Sequence, residues 1–193
     1  MTNKTHRLSG ISFCSPVERI KIMRIRKAVL ADAKGIAKVH VNSWRSTYKG
    51  IIPEEVLQRM SYNEREARWM QMIPEYPVFV AETGEGEIIG FASGGKERSG
   101  NYPEFDGELY AIYLLQQCQG QGIGKALVKK IAESLKEMGS CSMLVLVLAE
   151  NKSRYFYESL GAKLISTEQE TIAGMKFSEL VYGWKSIEQI FSE

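Results

Sequence analysis

The sequence predicts an α/β (α+β) protein with a single mixed, mostly antiparallel central sheet of six to seven strands and helices on both faces. Three features support this fold class. Short segments with alternating or continuous apolar residues indicate strands, and segments with apolar residues at helical spacing lie between them. A glycine-rich turn, Gln-Gly-Gln-Gly-Ile-Gly at residues 119–124, joins a predicted strand to a predicted helix.

The first half of the chain combines one strand, helical segments and a hairpin. Pro53, followed by Glu54 and Glu55, is typical of a helix start, whereas Pro74 and Pro77 are expected to break the chain. The predicted elements are a strand over residues 22–29, a helix over 31–46, a helical stretch from Pro53, a helix over 63–73, and antiparallel strands over 78–82 and 87–95.

The second half begins with a polar loop and then alternates strands with helices. The predicted elements are the loop over residues 96–107, a strand over 108–115, a helix over 122–138, a buried strand over 142–148, a short helix over 153–160, and strands over 163–168 and 175–184. The resulting order, β-α-α-β-β-β-α-β-α-β-β, has no internal repeat and predicts one mixed sheet.

The composition excludes several classes of protein. A chain of 193 residues with 44% hydrophobic and 25% charged residues is ordinary for one soluble domain. A net charge of +2 argues against nucleic acid as the main partner. Three widely separated cysteines indicate neither disulfides nor a zinc site, and two histidines exclude a multi-histidine metal centre. We therefore expect no metal.

No apolar run approaches the roughly 20 residues needed to cross a bilayer. The first 22 residues lack the apolar core of a signal peptide. These features predict a cytoplasmic protein that does not bind membranes. The predicted organisation is an N-terminal appendage over residues 1–22, a folded domain over 23–184 and a C-terminal tail over 185–193.

The glycine-rich turn predicts a phosphate site, because such a turn points backbone N–H groups and the positive end of a helix dipole at one place. A P-loop would need glycine where Gln119 stands and a hydroxyl where Ala126 stands, so a nucleotide-binding ATPase is not favoured. A dinucleotide fingerprint starting at Gly120 would need glycine where Lys125 stands, so that interpretation is not favoured either.

The turn does match the pattern Q-x-x-G-x-G through Gln119, Gly122 and Gly124. It thereby resembles the signature of the GNAT superfamily of N-acetyltransferases. Two further segments share the resemblance in the same order. Residues 108–114, Glu-Leu-Tyr-Ala-Ile-Tyr-Leu, are similar to the family's fourth strand, and residues 151–161 are similar to its closing N-x-x-x-x-x-[FY]-Y-E-x-x-G element.

The resemblance covers residues 23–184, with one departure: Ala162 stands where the family often has an aromatic residue. It implies a GNAT-like sheet in which the fourth strand carries a bulge and splays from the fifth. It also implies an acyltransferase that moves the acetyl group of acetyl-coenzyme A to a primary amine.

The resemblance implies acetyl-coenzyme A as the co-substrate. Its pyrophosphate would lie on the turn, where glycines permit close approach, and its pantetheine arm would bind the fourth strand like an added strand. One strand N–H would polarise the thioester carbonyl. The implied cofactor-binding residues are Ile112, Tyr113, Leu114, Gln119, Gly120, Gly122, Ile123, Gly124, Lys125 and Asn151. The structural alternatives are core packing, a solvated helix face for Lys125 and helix capping by Asn151.

Acyl transfer to an amine requires a proton acceptor, because an alkylammonium group with a pKa of about 10.4 is almost wholly protonated near pH 7. Glu108 is the candidate base, with a structural role as partner of a nearby group as the alternative. Tyr157 matches the family's general-acid tyrosine, with core packing as the alternative. Cys118 has no histidine nearby in the sequence to activate it, so we expect direct attack in a ternary complex.

The acceptor side is predicted from the first helix and the loop after it. Trp44 and Tyr48 are candidate substrate-binding residues, and packing of the helix on the sheet is the alternative. The expected partner is a small-molecule or peptide amine, and the resemblance also implies that a homodimer can form through the late strands. The alternative function is a non-catalytic sensor that binds acyl-coenzyme A on the same fold.

Overall fold

Seven strands form one sheet at the centre of the structure, a computed structural model that describes residues 24–191. The strands are β1 (Arg24–Lys27), β2 (Val78–Glu82), β3 (Ile88–Lys96), β4 (Gly107–Leu114), β5 (Met143–Leu148), β6 (Lys163–Ile172) and β7 (Met175–Trp184). Their order across the sheet is β1-β2-β3-β4-β5-β7-β6, and among these described strands only β4 and β5 pair in parallel. The predicted mixed, mostly antiparallel sheet is confirmed, whereas the predicted appendage over residues 1–22 lies outside the described residues.

Five α-helices are described: α1 (Ala33–Thr47), α2 (Glu54–Gln58), α3 (Tyr62–Glu75), α4 (Ile123–Glu137) and α5 (Arg154–Ser159). The N-terminus of α3 is capped by the Ser61 hydroxyl, which accepts the Glu64 N–H at 3.3 Å. Pro74 was expected to break the chain, but α3 runs through it for one more residue. A proline in the last turn removes a single helical hydrogen bond, so the helix ends only where the chain extends at Tyr76.

The helices cover both faces of the sheet, as the sequence predicts. Neighbouring residues of β3 point in opposite directions: Phe91 packs under α1 and α3, and Ala92 packs under α4. The segment after β7 also contributes to the α4 side, where Ile187 and Ile190 are buried. None of the helices described between residues 24 and 191 is long and apolar enough to span a membrane.

The centre of the sheet is irregular in the two ways that the resemblance implies. Ser93 pairs with Ala111 and Gly94 pairs with Leu109, which leaves Tyr110 as an extra residue in β4, a β-bulge. Pairing of β4 with β5 covers only three positions and ends at Leu109. Beyond that residue the two strands separate and leave an opening in the sheet.

Strand β6 is longer than the sequence pattern predicts, whereas β7 has the predicted bounds. β6 was expected to end at residue 168, but it continues to Ile172 and turns into β7 through Ala173 and Gly174. Both turn residues have positive φ, 50° and 82°, which suits the twist of a tight hairpin. The polar residues of β6 conceal the strand in the sequence, because its solvent-exposed outer half has no apolar alternation.

Candidate active site

A cavity of about 940 Å³ opens where β4 and β5 separate. It extends from the glycine-rich turn, along β4, to α5 and the loop after α1. Most of the predicted site residues line it: Ile112, Tyr113, Leu114, Gln119, Gly120, Gly122, Gly124, Lys125, Asn151, Tyr157 and Tyr48. Three predicted residues, Glu108, Ile123 and Trp44, do not. The structure therefore brings residues more than 100 positions apart in the sequence to one cavity.

The turn presents unpaired backbone donors to the cavity. The first hydrogen bond of α4 runs from the Ala126 N–H to the Gly122 carbonyl at 3.1 Å. The N–H groups of Ile123, Gly124 and Lys125 have no acceptor among residues 24–191. They lie at the positive end of a 15-residue helix, so the site suits an anion such as the pyrophosphate of coenzyme A.

Two glycines keep this turn open. Gly120 and Gly122 have φ of 72° and 79°, and nothing lies within 4 Å of the place that a Cβ would take. The space in front of the donors is therefore free for a ligand, which is the fit that a coenzyme A phosphate requires. The Ile123 side chain, in contrast, is buried in the core beneath α4, so only its main chain faces the turn.

Cys118 lies on the cavity wall beside the turn. Burial, and to a smaller extent the charge of Glu87, raises the pKa of its thiol above the ordinary value. The thiol is therefore protonated near neutral pH and is a weak nucleophile. Gln119 is exposed, and its side-chain amide lies 3.4 Å from the Leu114 carbonyl.

Three tyrosines surround the inner end of the cavity. Tyr157 on α5 is 6% exposed, and burial, followed by the neighbouring Tyr48, raises the pKa of its phenol well above the ordinary value. Burial likewise raises the pKa of Tyr48 and Tyr113. All three phenols are therefore neutral across the physiological range and can donate hydrogen bonds.

Aromatic rings support these tyrosines from the side of α1. Trp44 packs against Tyr48, with ring centroids 4.7 Å apart, and takes no direct part in the cavity wall. His40 stacks behind Tyr113 at 5.2 Å, and its Nδ1 accepts a hydrogen bond from Trp69 at 3.2 Å. Burial, helped by the charges of two nearby arginines, lowers the pKa of His40 to about 3, so this histidine is a neutral core residue.

Asn151 makes a local hydrogen bond at the entry to α5, and its cofactor-binding role stays a prediction. Its Oδ1 accepts the Ser153 N–H at 2.9 Å, which holds the chain where it enters α5. The residue is buried and also lies on the cavity wall. The hydrogen bond at the entry to α5 is thus present, and the side chain remains beside the opening.

Glu108 lies away from the cavity wall. The side chain is buried, and both of its carboxylate oxygens accept hydrogen bonds from the Arg98 guanidinium; Oε2 accepts the one from Nε at 3.1 Å. The Arg98 backbone N–H adds a third bond at 3.2 Å, and the guanidinium lies 3.8 Å from the centre of the Tyr110 ring. Because both carboxylate oxygens are held by Arg98, the geometry favours the structural alternative for Glu108.

Two residues beside the cavity were missed in the sequence. Leu146 on β5 lines the cavity and is 37% exposed, which is unusual for a central strand. Glu179 on β7 is half-buried, and burial raises the pKa of its carboxyl to about 7, with smaller contributions from Glu170, Glu108 and Glu168. The alternation of β7 was the available signal, since it places Glu179 on the same face as two apolar neighbours, Phe177 and Val181.

Comparison with known proteins agrees with this geometry. The model of the Acetyltransferase (GNAT) family matches residues 41–162. The uncharacterized N-acetyltransferase YuaI of Bacillus subtilis (strain 168) is 43% identical over 166 residues, which cover 86% of this chain and 95% of that protein. The L-amino acid N-acyltransferase MnaT of Escherichia coli (strain K12) is 29% identical over 162 residues, or 80% of this chain and 87% of that protein.

Solved structures share the fold at lower identity. The PaiA N-acetyltransferase from Thermoplasma acidophilum, in complex with coenzyme A, matches with a TM-score of 0.65 and 22% identity, over 82% of this chain and 97% of that one. YncA from Salmonella typhimurium, with acetyl-coenzyme A, matches with a TM-score of 0.63 and 22% identity, over 84% of this chain and 92% of that one. The family match and the identity to YuaI show that this chain is an acyltransferase of the GNAT acetyltransferase family.

Proposed function

We propose that this protein transfers the acetyl group of acetyl-coenzyme A to a primary amine by direct attack in a ternary complex. The observation that carries the proposal is the single cavity that joins the donor-rich turn to Tyr157 through the opening between β4 and β5. A long cofactor anchored by its phosphates at one end would deliver its thioester to the other end.

The cofactor end is assigned to the turn and to β4. The free N–H groups at the start of α4 would bind the pyrophosphate, and Lys125 would add a positive charge nearby. Past Leu109, β4 has no strand partner on its β5 side among the described strands, so the main chain of residues 112–114 is available to the pantetheine arm. One of these N–H groups would stabilise the negative charge that develops on the thioester oxygen.

Tyr157 is assigned to the leaving group. As the amine nitrogen forms its bond to the carbonyl carbon, the C–S bond breaks and its electron pair passes to sulfur. The neutral phenol of Tyr157 can donate a hydrogen bond, and then a proton, to the departing thiolate. A covalent acetyl-cysteine intermediate is not favoured, because the Cys118 thiol is protonated and buried.

The acceptor is assigned to the class of small-molecule or peptide amines. Two relatives point in this direction: MnaT is an L-amino acid N-acyltransferase, and a Bacillus subtilis (strain 168) protein that is 30% identical over 74 residues is a spermine/spermidine N(1)-acetyltransferase. The alternative, a non-catalytic sensor, would use the same cavity to bind acyl-coenzyme A without turnover.

A thiol-release assay tests the proposal. Acetyl-coenzyme A is combined with the protein and with spermidine, L-methionine sulfone or a lysine-containing peptide with a free N-terminus. We expect amine-dependent release of coenzyme A with at least one of them, and a kcat lower by about 10²-fold for Tyr157→Phe. Tyr155→Phe is the matched control, because Tyr155 is exposed on the same helix and its hydroxyl bonds to Arg154.

Two results would contradict the proposal. Tight binding of acetyl-coenzyme A with no release above hydrolysis for any amine would favour the sensor. Equal kcat for the wild type and Tyr157→Phe would remove Tyr157 from the chemistry while leaving the acetyltransferase activity in place.

A further inference from the structure

The apolar cover of the sheet has a gap beside the cavity. On the face opposite α4, Leu144 packs in a cluster with Phe105, and Leu148 packs in a cluster with Tyr48. Leu146 lies between these two residues on the same strand face, yet it is 37% exposed and lines the cavity. The cavity therefore opens onto this face through a gap whose floor is Leu146. We call this opening the Leu146 gap.

Glu179 lies next to the Leu146 gap without being part of the cavity wall, and its charge acts on Tyr48, which is part of that wall. Glu179 pairs directly with Leu148 across β5 and β7, so the two residues share a face of the sheet with Leu146. The Glu179 side chain is half-buried, and no side chain of residues 24–191 forms an ion pair or a hydrogen bond with its carboxylate. Such a carboxylate differs from that of Glu108, whose two oxygens are occupied by Arg98.

The surroundings of Glu179 are negative. Five titratable groups interact electrostatically with Glu179. They are Glu108 on β4, Glu168 and Glu170 on β6, Tyr48 at the end of α1 and Tyr102 in the loop before β4. Burial raises the pKa of both tyrosines, so they remain neutral. Glu168 accepts the Tyr102 hydroxyl at 2.9 Å, and Glu108 is paired with Arg98. A half-buried carboxylate with no compensating cation is an electrostatic site for a positive ligand.

We infer that Glu179 binds the ammonium group of the acceptor in the Leu146 gap and accepts its proton, as the general base of the transfer. The inference rests on the proposed function and deepens it, since it names the base and selects cationic amines. The positive charge of the ammonium group first compensates the negative charge of the Glu179 carboxylate. It then gives one N–H proton to Glu179 and becomes the free nucleophile.

The transfer itself follows this proton transfer. The nitrogen lone pair forms the N–C bond, the C–S bond breaks, and its electron pair stays on sulfur. The second nitrogen proton is lost as the amide forms, and the coenzyme A thiolate takes one proton through Tyr157. Glu179 returns its proton to solvent, so one proton is released for each acetyl group transferred. Effective bases have a pKa close to the working pH, and the Glu179 carboxyl, with a pKa of about 7, meets that condition.

A pH profile is the first test, run with whichever amine of the panel gives the highest kcat/KM. For the wild type we expect kcat/KM to rise with pH through a pKa near 7, well below that of the amine itself. Glu179→Gln should lower kcat/KM at pH 8 by about 10²- to 10⁴-fold and should abolish the rise near pH 7. Its affinity for acetyl-coenzyme A should be unchanged, which shows that the variant is folded.

Glu170→Gln is the matched control on the neighbouring strand. Glu170 contributes to the raised pKa of Glu179, so its removal should shift the rise of kcat/KM to lower pH and leave the plateau within about twofold. A pH profile of Glu179→Gln with the wild-type rise and plateau would overturn the assignment of Glu179 while leaving the acetyltransferase activity intact. Release of no coenzyme A with any amine would overturn both.

Thermal unfolding supplies a readout that does not need turnover. Folding raises the pKa of Glu179 from 4.5 to about 7, so its ionised form is less favourable in the folded chain than in the unfolded one. The wild type therefore loses stability from this group as the pH rises from about 4.5 to about 7, whereas Glu179→Gln does not. The Tm difference between the two should be near zero at pH 4 and should favour Glu179→Gln at pH 8; a difference independent of pH would mean that the carboxylate is compensated, against the inference.

Discussion

Replacement of Gly122 by alanine separates the strain of the glycine-rich turn from its role in binding. Gly122 has φ of 79°, a left-handed conformation that costs an L-residue about 1–2 kcal/mol. Because nothing lies within 4 Å of the new Cβ, no clash adds to this cost in the free protein. We therefore expect Gly122→Ala to lower the free energy of unfolding by about 1–2 kcal/mol, which corresponds to a fall in Tm of about 2–8 °C.

The same methyl group would enter the open space at the turn, beside the start of α4. If a coenzyme A phosphate approaches there, the variant loses at least one charge-assisted hydrogen bond, worth about 1.5–3 kcal/mol. The dissociation constant for coenzyme A should then rise by about 10- to 150-fold. Isothermal titration calorimetry with coenzyme A measures this change, and differential scanning calorimetry measures the change in Tm.

Gly139→Ala is the control for strain. Gly139 follows the other end of α4 with φ of 88°, and its Cβ would also have nothing within 4 Å. It lies outside the cavity wall. Both variants should lose similar stability, and only Gly122→Ala should lose affinity. Equal affinities of the two variants for coenzyme A would refute the placement of the pyrophosphate on the turn.

Three further predictions concern Cys118, Arg98 and Glu108. Cys118→Ala should keep kcat within about twofold, because amine attack is direct; loss of most activity, together with acetylation of Cys118 in the wild type by mass spectrometry, would contradict this. Arg98→Met should lower the free energy of unfolding in urea by about 1–3 kcal/mol, because it leaves the Glu108 carboxylate buried without its cation. Adding Glu108→Gln to Arg98→Met should recover part of that loss and leave the rise of kcat/KM with pH in place; disappearance of the rise would return the role of base to Glu108.

The parts of the site that are contiguous in the sequence were predictable. The turn at residues 119–124 and the segments at 108–114 and 151–161 each carry a local pattern, and local geometry places them on one strand, one helix start and one short helix. The bulge and the separation of β4 from β5 followed from the resemblance and are confirmed by the strand register. Local patterns suffice here because the functional groups of the turn are main-chain N–H groups.

The parts of the site that depend on long-range register were not predictable. Arg98 belongs to a segment that the sequence indicates only as a polar loop, and its pairing with Glu108 arises from the close return of β4 beside β3. Glu179 lies beside Leu148 because β7 inserts between β5 and β6, which no local pattern encodes. The sequence therefore indicated the carboxylate that lies within a recognisable motif, Glu108, and gave no signal that topology places Glu179 beside Leu148.

The extra residue in β4 explains why the two carboxylates differ in availability. Side chains alternate along a regular strand. A bulge takes up one extra residue, so every later residue faces the side opposite to the one that strict alternation would give it. Before the bulge, Leu109 faces α4 and Glu108 faces the opposite side, where Arg98 covers it. After the bulge, Ile112 and Leu114 face α4, and Tyr113 faces the α1 side.

If Tyr110 were regularly paired and β4 had no bulge, Tyr113 would point into the α4 core, and the inner end of the cavity would lose one of its tyrosines. The bulge also coincides with the end of β4–β5 pairing, so the same residue that reorients Tyr113 begins the opening that exposes Leu146. Glu108 stays on the closed side of this boundary, in the paired part of the sheet. Glu179 pairs with Leu148, beyond the three positions at which β4 and β5 pair, and is the carboxylate to which we assign the substrate amine.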